Sequence, residues 1–250
     1  MSVDNKVAIV TGGARDIGRA VCEKLAAGGA KVVVNYFNSD RNAKSTVAAI
    51  EAAGGTAIAV AGDMTKQADV ENLVDETRKA FGDRIDILVN VVGGLVARKP
   101  LTEMDGEFFD SIMRLNVTSC FLASKEVVPH MRDGAAIVNL SSLAGRDGGG
   151  PGAAAYATAK GAVMTFTRAL AKELGPHNIR ANCVCPGMIA TTFHDTFTAG
   201  AARANVAAAT PLRREGEAWE VADLVVYLSS DRASFITGAS VDINGGLNFS

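Results

Sequence analysis

The chain is short of the residues from which several classes of protein are built: it has one tryptophan, three tyrosines, three histidines, four cysteines and six prolines among 250 residues. His130, His177 and His194 are scattered and lack ligand spacing to one another or to the cysteines, so no structural metal site is expected. Cys22, Cys120, Cys183 and Cys185 lie in apolar contexts. Only Cys183 and Cys185 are close, on one face of a strand, and all four read as reduced core thiols instead of a disulfide framework. The net charge is only −2, and no run of like charges offers a field for nucleic acid. No apolar stretch approaches the roughly 20 residues of a membrane span, and the polar start Met1 to Lys6 leads straight into an apolar strand. These absences leave a soluble, cytoplasmic protein whose partners are small molecules. No repeat, linker or low-complexity tract divides the chain, so residues 1–250 are read as a single domain.

What the chain does have is apolar residues, at 48%, and 26 glycines placed singly or in short clusters between apolar runs. That content can bury a full core. Strand-length runs recur at Val7 to Thr11, Lys31 to Asn35, Thr56 to Ala61, Ile85 to Asn90, Ala136 to Ser141, Arg180 to Cys185 and Ser240 to Ile243. Helical periodicity lies between them at Ile17 to Gly28, Asp40 to Ala53, Gln67 to Phe81, Asp105 to Met131, Ala154 to Leu174 and Trp219 to Ser229. Such alternation predicts an α/β fold: a doubly wound Rossmann parallel sheet of about seven strands with helices on both faces, ligands gathering outside the strands' carboxyl ends. Gly148 to Gly152 reads as a flexible active-site loop, and the stretch near 187–211 as either a substrate lid or a pair of surface helices.

After the first strand comes Thr11-Gly-Gly-Ala-Arg-Asp-Ile-Gly18, opening a helix. Glycines there let a backbone approach a pyrophosphate, and free N–H groups of the helix receive its charge. Farther on, Tyr156 and Lys160 stand four residues apart on one helical face. Bringing a phenol from a pKa of about 10 to near 7 takes roughly 4 kcal/mol. One ammonium at about 4 Å and an effective dielectric near 20 supplies about that much, so Lys160 can acidify Tyr156.

These segments, with Asp63-Met64, Asn90-Val-Val-Gly93, Asn116, Ser142 and Pro186-Gly187 in order, resemble the short-chain dehydrogenase/reductase family along nearly the whole chain, most nearly its 3-oxoacyl-[acyl-carrier-protein]-reductase-like branch. The resemblance implies a nicotinamide-dependent carbonyl reductase in which Tyr156 protonates the ketone, Ser142 orients its oxygen, Lys160 also binds the nicotinamide ribose, and Asn116 holds a water that relays protons to Lys160. Ser141 is the other candidate for the role of Ser142. The cofactor residues it implies are Gly12, Arg15, Ile17 and Gly18 at the pyrophosphate, Asp63 and Met64 at the adenine, Asn90 and Gly93 at the adenine ribose and central strand, and Pro186, Gly187, Ile189 and Thr191 beside the nicotinamide. It also implies a homotetramer pairing the Asp105 to Met131 and Ala154 to Leu174 helices. Two positions depart from the family pattern: Asp16 replaces a glycine, and Val91-Val92 replaces Asn-Ala. The Asp16 carboxylate would repel a pyrophosphate unless Arg15 or Arg19 offsets it, so weakened cofactor affinity is expected.

Cofactor choice rests on the end of the second strand, where an acid would bind the ribose hydroxyls of NAD. Asn35-Tyr36-Phe37-Asn38-Ser39 contains none. Asn38, Ser39 and Arg15 can instead accept a 2'-phosphate, with Asn35 and Tyr36 also expected at the cofactor, so NADP(H) is preferred, with NAD(H) the alternative. Three substrates are compatible with the sequence: a 3-oxoacyl thioester, although Asp133 and His177 stand where basic carrier-docking residues are expected; a carboxylated sugar ketone, clamped by Arg98, Lys99 and Arg146; and an apolar ketone or secondary alcohol, received by Met188, Phe193 and Phe197. A cofactor-sensing module without chemistry is the non-enzymatic alternative, and the presence of Ser142, Tyr156 and Lys160 argues against it.

Overall fold

Alternate residues along the strands are apolar on both sides of the sheet, as burial on two faces requires. Ala8, Val10, Val32, Val34, Ile87 and Val89 pack to one side, against Val21, Cys22 and Leu25, Ile50 and Val225. Ile9, Val33, Leu88 and Ile137 pack to the other, against Leu73, Val74, Ala123, Leu170 and Leu174. In the computed structural model, which describes residues 3–198 and 200–249, these positions belong to seven strands: β1 (Val7–Thr11), β2 (Lys31–Tyr36), β3 (Thr56–Ala61), β4 (Ile87–Asn90), β5 (Ala136–Leu140), β6 (Arg180–Pro186) and β7 (Ser240–Ile243). Their order is β3-β2-β1-β4-β5-β6-β7, and every pairing is parallel.

Helices cover both faces: α1 (Asp16–Ala27), α2 (Asp40–Ala52), α3 (Gln67–Phe81), α4 (Gly106–Met113), α5 (Ser119–Val127), α6 (Ala144–Asp147), α7 (Ala154–Leu174), α8 (Thr192–Phe197), α9 (Gly200–Ala209) and α10 (Ala218–Ser229). The expected doubly wound Rossmann sheet is therefore present. The chain winds outward from β1 to β3, then returns to place β4 beside β1 with Thr11 opposite Asn90. That reversal opens a crevice at the carboxyl ends of β1 and β4, where ligands of such sheets bind. Among the described residues, no helix is long and apolar enough to cross a membrane.

One segment differs from the expected elements, and another takes one of two expected forms. Asp105 to Met131 is not one regular helix: α4 and α5 are separated by a π-helical turn at Arg114–Thr118, and a 3-10 turn over Val128–His130, containing Pro129, ends the run. The wider turn coincides with Asn116, whose buried amide Nδ2 donates to the Ile112 carbonyl at 2.9 Å, a side chain inserted where backbone donors ordinarily bond. The stretch near 187–211 is largely helical, as α8 and α9, which agrees with the helix-pair alternative.

Candidate active site

At the carboxyl end of β1 the backbone must turn sharply into α1. Gly12 has φ +67°, and a Cβ on Gly18 would lie 2.1 Å from the Gly12 carbonyl oxygen, so only glycine fits the latter position. Arg15 precedes α1 and caps it with no side-chain hydrogen bond, which leaves the first N–H groups open to an anion. Those features fit a cofactor pyrophosphate held by Gly12, Ile17 and Gly18. Thr11, which the sequence reading passed over, accepts the Val91 N–H at 3.1 Å and so joins this turn to the end of β4; its place at a strand end before glycine was the available signal.

Several residues expected at the cofactor work one layer deeper. Asn35 is buried, and its amide accepts the Gly12 N–H at 3.2 Å while donating to the carbonyls of Val60 and Gly62 at 3.3 and 3.2 Å. It shapes the turn from beneath. Asn90 is likewise buried, donating to Asn139 of β5 at 2.9 Å and to Ser124 of α5 at 3.3 Å. Met64 and Ile189 are core residues, and Thr191 donates to the Ile189 carbonyl at 3.2 Å. Asp63 accepts from the Thr65 hydroxyl at 2.7 Å, forming the turn into α3. Pro186 ends β6 in the core, and Gly187 packs against Asn244, where a Cβ would approach to 2.8 Å. Tyr36 donates to Asp40 at 2.8 Å, and Asn38 and Ser39 lie beside each other at the open end of β2.

Asp16 does not cap α1. It holds a left-handed conformation, φ +52°, which costs a residue with a side chain about 1 to 2 kcal/mol. Its carboxylate faces Thr192 at the start of α8, accepting the N–H at 3.1 Å and the hydroxyl at 2.6 Å. Arg15 Nη1 donates to the same hydroxyl at 2.7 Å and lies 3.8 Å from Asp16, so this guanidinium turns toward α8. Arg19, the other cation expected to offset Asp16, pairs with Glu23 at 2.8 Å.

The fold brings Asn116, Ser142, Tyr156 and Lys160 together at the ends of β4 and β5. Asn116 reaches Gly94 with two hydrogen bonds, Oδ1 accepting its N–H at 3.0 Å and Nδ2 donating to its carbonyl at 2.9 Å. A side chain on Gly93 would strike Asn116 Oδ1 at 2.6 Å and Lys160 Nζ at 2.8 Å, which explains the glycine. Of the two serines, Ser141 is buried and donates to the Lys160 carbonyl at 2.7 Å. Ser142 is the one that meets Tyr156; its oxygen accepts the Ala144 N–H at 3.1 Å, and its hydroxyl bonds the phenol. Lys160 Nζ donates to the Leu140 carbonyl at 2.8 Å and lies 5.7 Å from the centre of the Tyr156 ring.

The electrostatics differ from the simple expectation of a phenol acidified by Lys160. Burial pushes the Tyr156 phenol up to about 12, opposed by the Ser142 hydrogen bond. Burial also pushes the Lys160 ammonium down to about 8. Desolvation is the largest cause of both shifts, and neither group is among the causes of the other's.

Above this cluster lies α8. The Phe193 ring is 5.9 Å from that of Tyr156, and Phe197 follows at 5.1 Å from Phe193. The cations suggested as a carboxylate clamp are committed elsewhere. Arg98 donates to the carbonyls of Phe197 and Pro151 at 3.2 and 3.0 Å. Lys99 lies 3.6 Å from Asp105, and Arg146 pairs with Asp242 at 3.1 Å. At the opposite, amino end of the strands, just before β5, Arg132, the basic neighbour of Asp133, donates to the Pro129 and Met131 carbonyls. Among the described residues no three His, Cys, Asp or Glu side chains gather as metal ligands.

Comparison with known proteins agrees with this geometry. The model of a family described as Enoyl-(Acyl carrier protein) reductase matches residues 12–248. A 3-oxoacyl-[acyl-carrier-protein] reductase of a Synechocystis species is 39% identical over 97% of this chain and 96% of its own. A cyclopentanol dehydrogenase of a Comamonas species is also 39% identical, over 98% and 97%. A short-chain dehydrogenase of Burkholderia cenocepacia, solved in complex with NADP, superposes with a TM-score of 0.93 at 34% identity, covering 100% of both chains. Likeness of this extent, in a fold that gathers the shared motifs at one edge of its sheet, places the chain in the short-chain dehydrogenase/reductase family, the oxidoreductases of alcohol and carbonyl groups.

Proposed function

We propose that the protein is an NADP(H)-preferring carbonyl reductase that acts on an apolar ketone, or on the matching secondary alcohol in reverse, with Tyr156 as the proton donor. The observation that carries this reading is the aromatic cover: the Phe193 ring lies 5.9 Å from that of Tyr156, with Phe197 behind it. Apolar walls with a few convergent polar groups select apolar ketones. The committed positions of Arg98, Lys99 and Arg146 argue against a carboxylated sugar, and those of Asp133 and Arg132 against carrier-protein docking. The Comamonas relative is named for a cyclic secondary alcohol, which fits the same chemistry.

When bound, reduced nicotinamide supplies the hydride that the carbonyl carbon receives. Tyr156 gives its phenolic proton to the carbonyl oxygen, and the Ser142 hydroxyl donates to that oxygen as charge develops on it. Lys160, able to exchange a proton near neutral pH, resupplies the phenol, and Asn116 keeps the relay water beside it. Gly12, Ile17 and Gly18 hold the pyrophosphate, Lys160 the nicotinamide ribose, and Gly187 and Thr191 border the nicotinamide. Asn38 and Ser39 are left to receive a 2'-phosphate, since the first acid after β2, Asp40, is occupied by Tyr36 and Lys44 at 2.8 Å each. In this reading the 187–211 segment is a substrate lid.

The test is turnover on cyclic and aryl ketones, oxoacyl thioesters and uronate-derived ketones, each with NADPH and NADH. Apolar ketones with NADPH are expected to have the highest kcat/KM, and Tyr156→Phe to lose about 100- to 10,000-fold in kcat while binding NADPH as before. A fully active Tyr156→Phe would remove the assignment, and preference for a charged ketone would remove the substrate class.

A further inference from the structure

We propose that Asp16 is a positioning residue: it latches α8 to the glycine-rich turn through Thr192, and so couples opening of the ketone site to release of the cofactor. The inference rests on the reading of α8 as the cover of the reacting centre. Asp16 and Thr192 are 176 residues apart in sequence, yet the carboxylate grips Thr192 twice, at its N–H (3.1 Å) and at its hydroxyl (2.6 Å). The first N–H groups of any helix lack intrahelical partners. In α8 the preceding residue, Thr191, makes no side-chain cap, and Asp16 performs that task from another element.

The conformation of Asp16 belongs to the same arrangement. At φ +52° the residue is held where glycine would be more comfortable, and it is this left-handed backbone that aims the carboxylate across to α8. Arg15 reinforces the contact by donating to the Thr192 hydroxyl at 2.7 Å, so the hydroxyl accepts from a cation and donates to an anion. The far end of α8 is pinned as well, because Arg98 Nε donates to the Phe197 carbonyl at 3.2 Å. Between the two pins lies Phe193, against Tyr156. Movement of the start of α8 must break the Asp16 contact, and that contact is seated on the turn whose open N–H groups suit the cofactor's phosphates.

Hydrogen exchange of the segment 192–209 in the cofactor-free protein reads the latch directly. Asp16→Gly suits the left-handed backbone and removes the carboxylate; Thr192→Val removes the hydroxyl. Each is expected to speed exchange about tenfold, as loss of a hydrogen bond to a charged group implies, and the double variant to add little to either. Thr192→Ser is expected to restore protection. In the NADPH-bound enzyme, Asp16→Gly is expected to raise the ketone KM with little change in kcat and to speed NADPH dissociation. Unchanged exchange in Asp16→Gly, or independent effects of the two substitutions, would overturn the latch. So would slower NADPH release, which would mean that the carboxylate acts by repelling phosphate. Exchange requires no turnover, so failure of the ketone assay and failure of the latch remain distinguishable.

Discussion

Lys160 occupies an uncomfortable position for an ammonium: 4% exposed, with the Leu140 carbonyl as its hydrogen-bond partner at 2.8 Å. Desolvation lowers its pKa from 10.5 to about 8. Because the unfolded chain keeps its proton up to the higher value, folding releases a proton between those limits, and stability rises with pH from about 8 toward 10.5. A displacement of that size is worth on the order of 3 kcal/mol in total. Above pH 10 Tyr156 contributes the opposite sign, since its phenol is held up to about 12 and the unfolded chain ionises first. The thiols of Cys22, Cys120 and Cys183, held above their ordinary value, oppose this trend as pH passes 9, so guanidinium unfolding is expected to show the stability of the wild type rising relative to that of Lys160→Met between pH 7 and 10. Parallel profiles would show that Lys160 is not the titrating group. The same lowered value lets Lys160 pass protons near neutrality, so one cause, burial, accounts for both the cost in stability and the proposed relay.

Among the elements, α8 and the α4–α5 run carry the site in different ways. α8 has only six residues, makes no buried contact of its own in the core, and is held by Asp16, Arg98 and the Phe193 ring. Short helices are marginal without tertiary support, which suits an element that must move. Phe193→Ala is expected to raise KM for a cyclic ketone by roughly tenfold, the order of an aromatic side chain's contribution to an apolar pocket, with kcat changing less. Steady-state kinetics checks this, and an unchanged KM would place the substrate elsewhere. The α4–α5 run is the reverse case: long, rigid, and interrupted by the π-helical turn that carries Asn116 to Gly94.

At the scale of the whole molecule, one exposed aromatic ring lies on the helices that the family expectation pairs between copies. Phe121 on α5 is 45% exposed and meets Phe166 of α7 edge to face at 6.4 Å. The edge strand β7 is half-buried throughout, and Phe249 beyond it is 87% exposed. An unpaired strand edge and projecting aromatic rings favour association. Light scattering is expected to give the mass of a tetramer, and Phe121→Asp to lower it. A wild-type monomer would dismiss the assembly.

Periodicity alone determined much of this fold. Both faces of each strand had to be apolar for a sheet covered by helices, and the ends of α3 and α7 follow from where that pattern stops. The order of Thr11 to Gly18, Asn116, Ser142, Tyr156 and Lys160 identified the family, since those residue types must recur at strand ends and one helical turn apart. The sequence could not separate residues that face a ligand from those one layer below. Asn35 and Asn90 both stand at strand ends, and only packing turns the Asn35 amide to the backbone of Val60 and Gly62 and the Asn90 Nδ2 to Asn139. Nor could local pattern reveal that Ser141 turns to the Lys160 carbonyl while Ser142 meets Tyr156, or that Asp16 grips Thr192. Those outcomes depend on which segments, distant in the chain, the parallel sheet sets side by side. Helix and strand are fixed by nearby residues, whereas desolvation and hydrogen-bond partnership depend on what the finished fold places around each group.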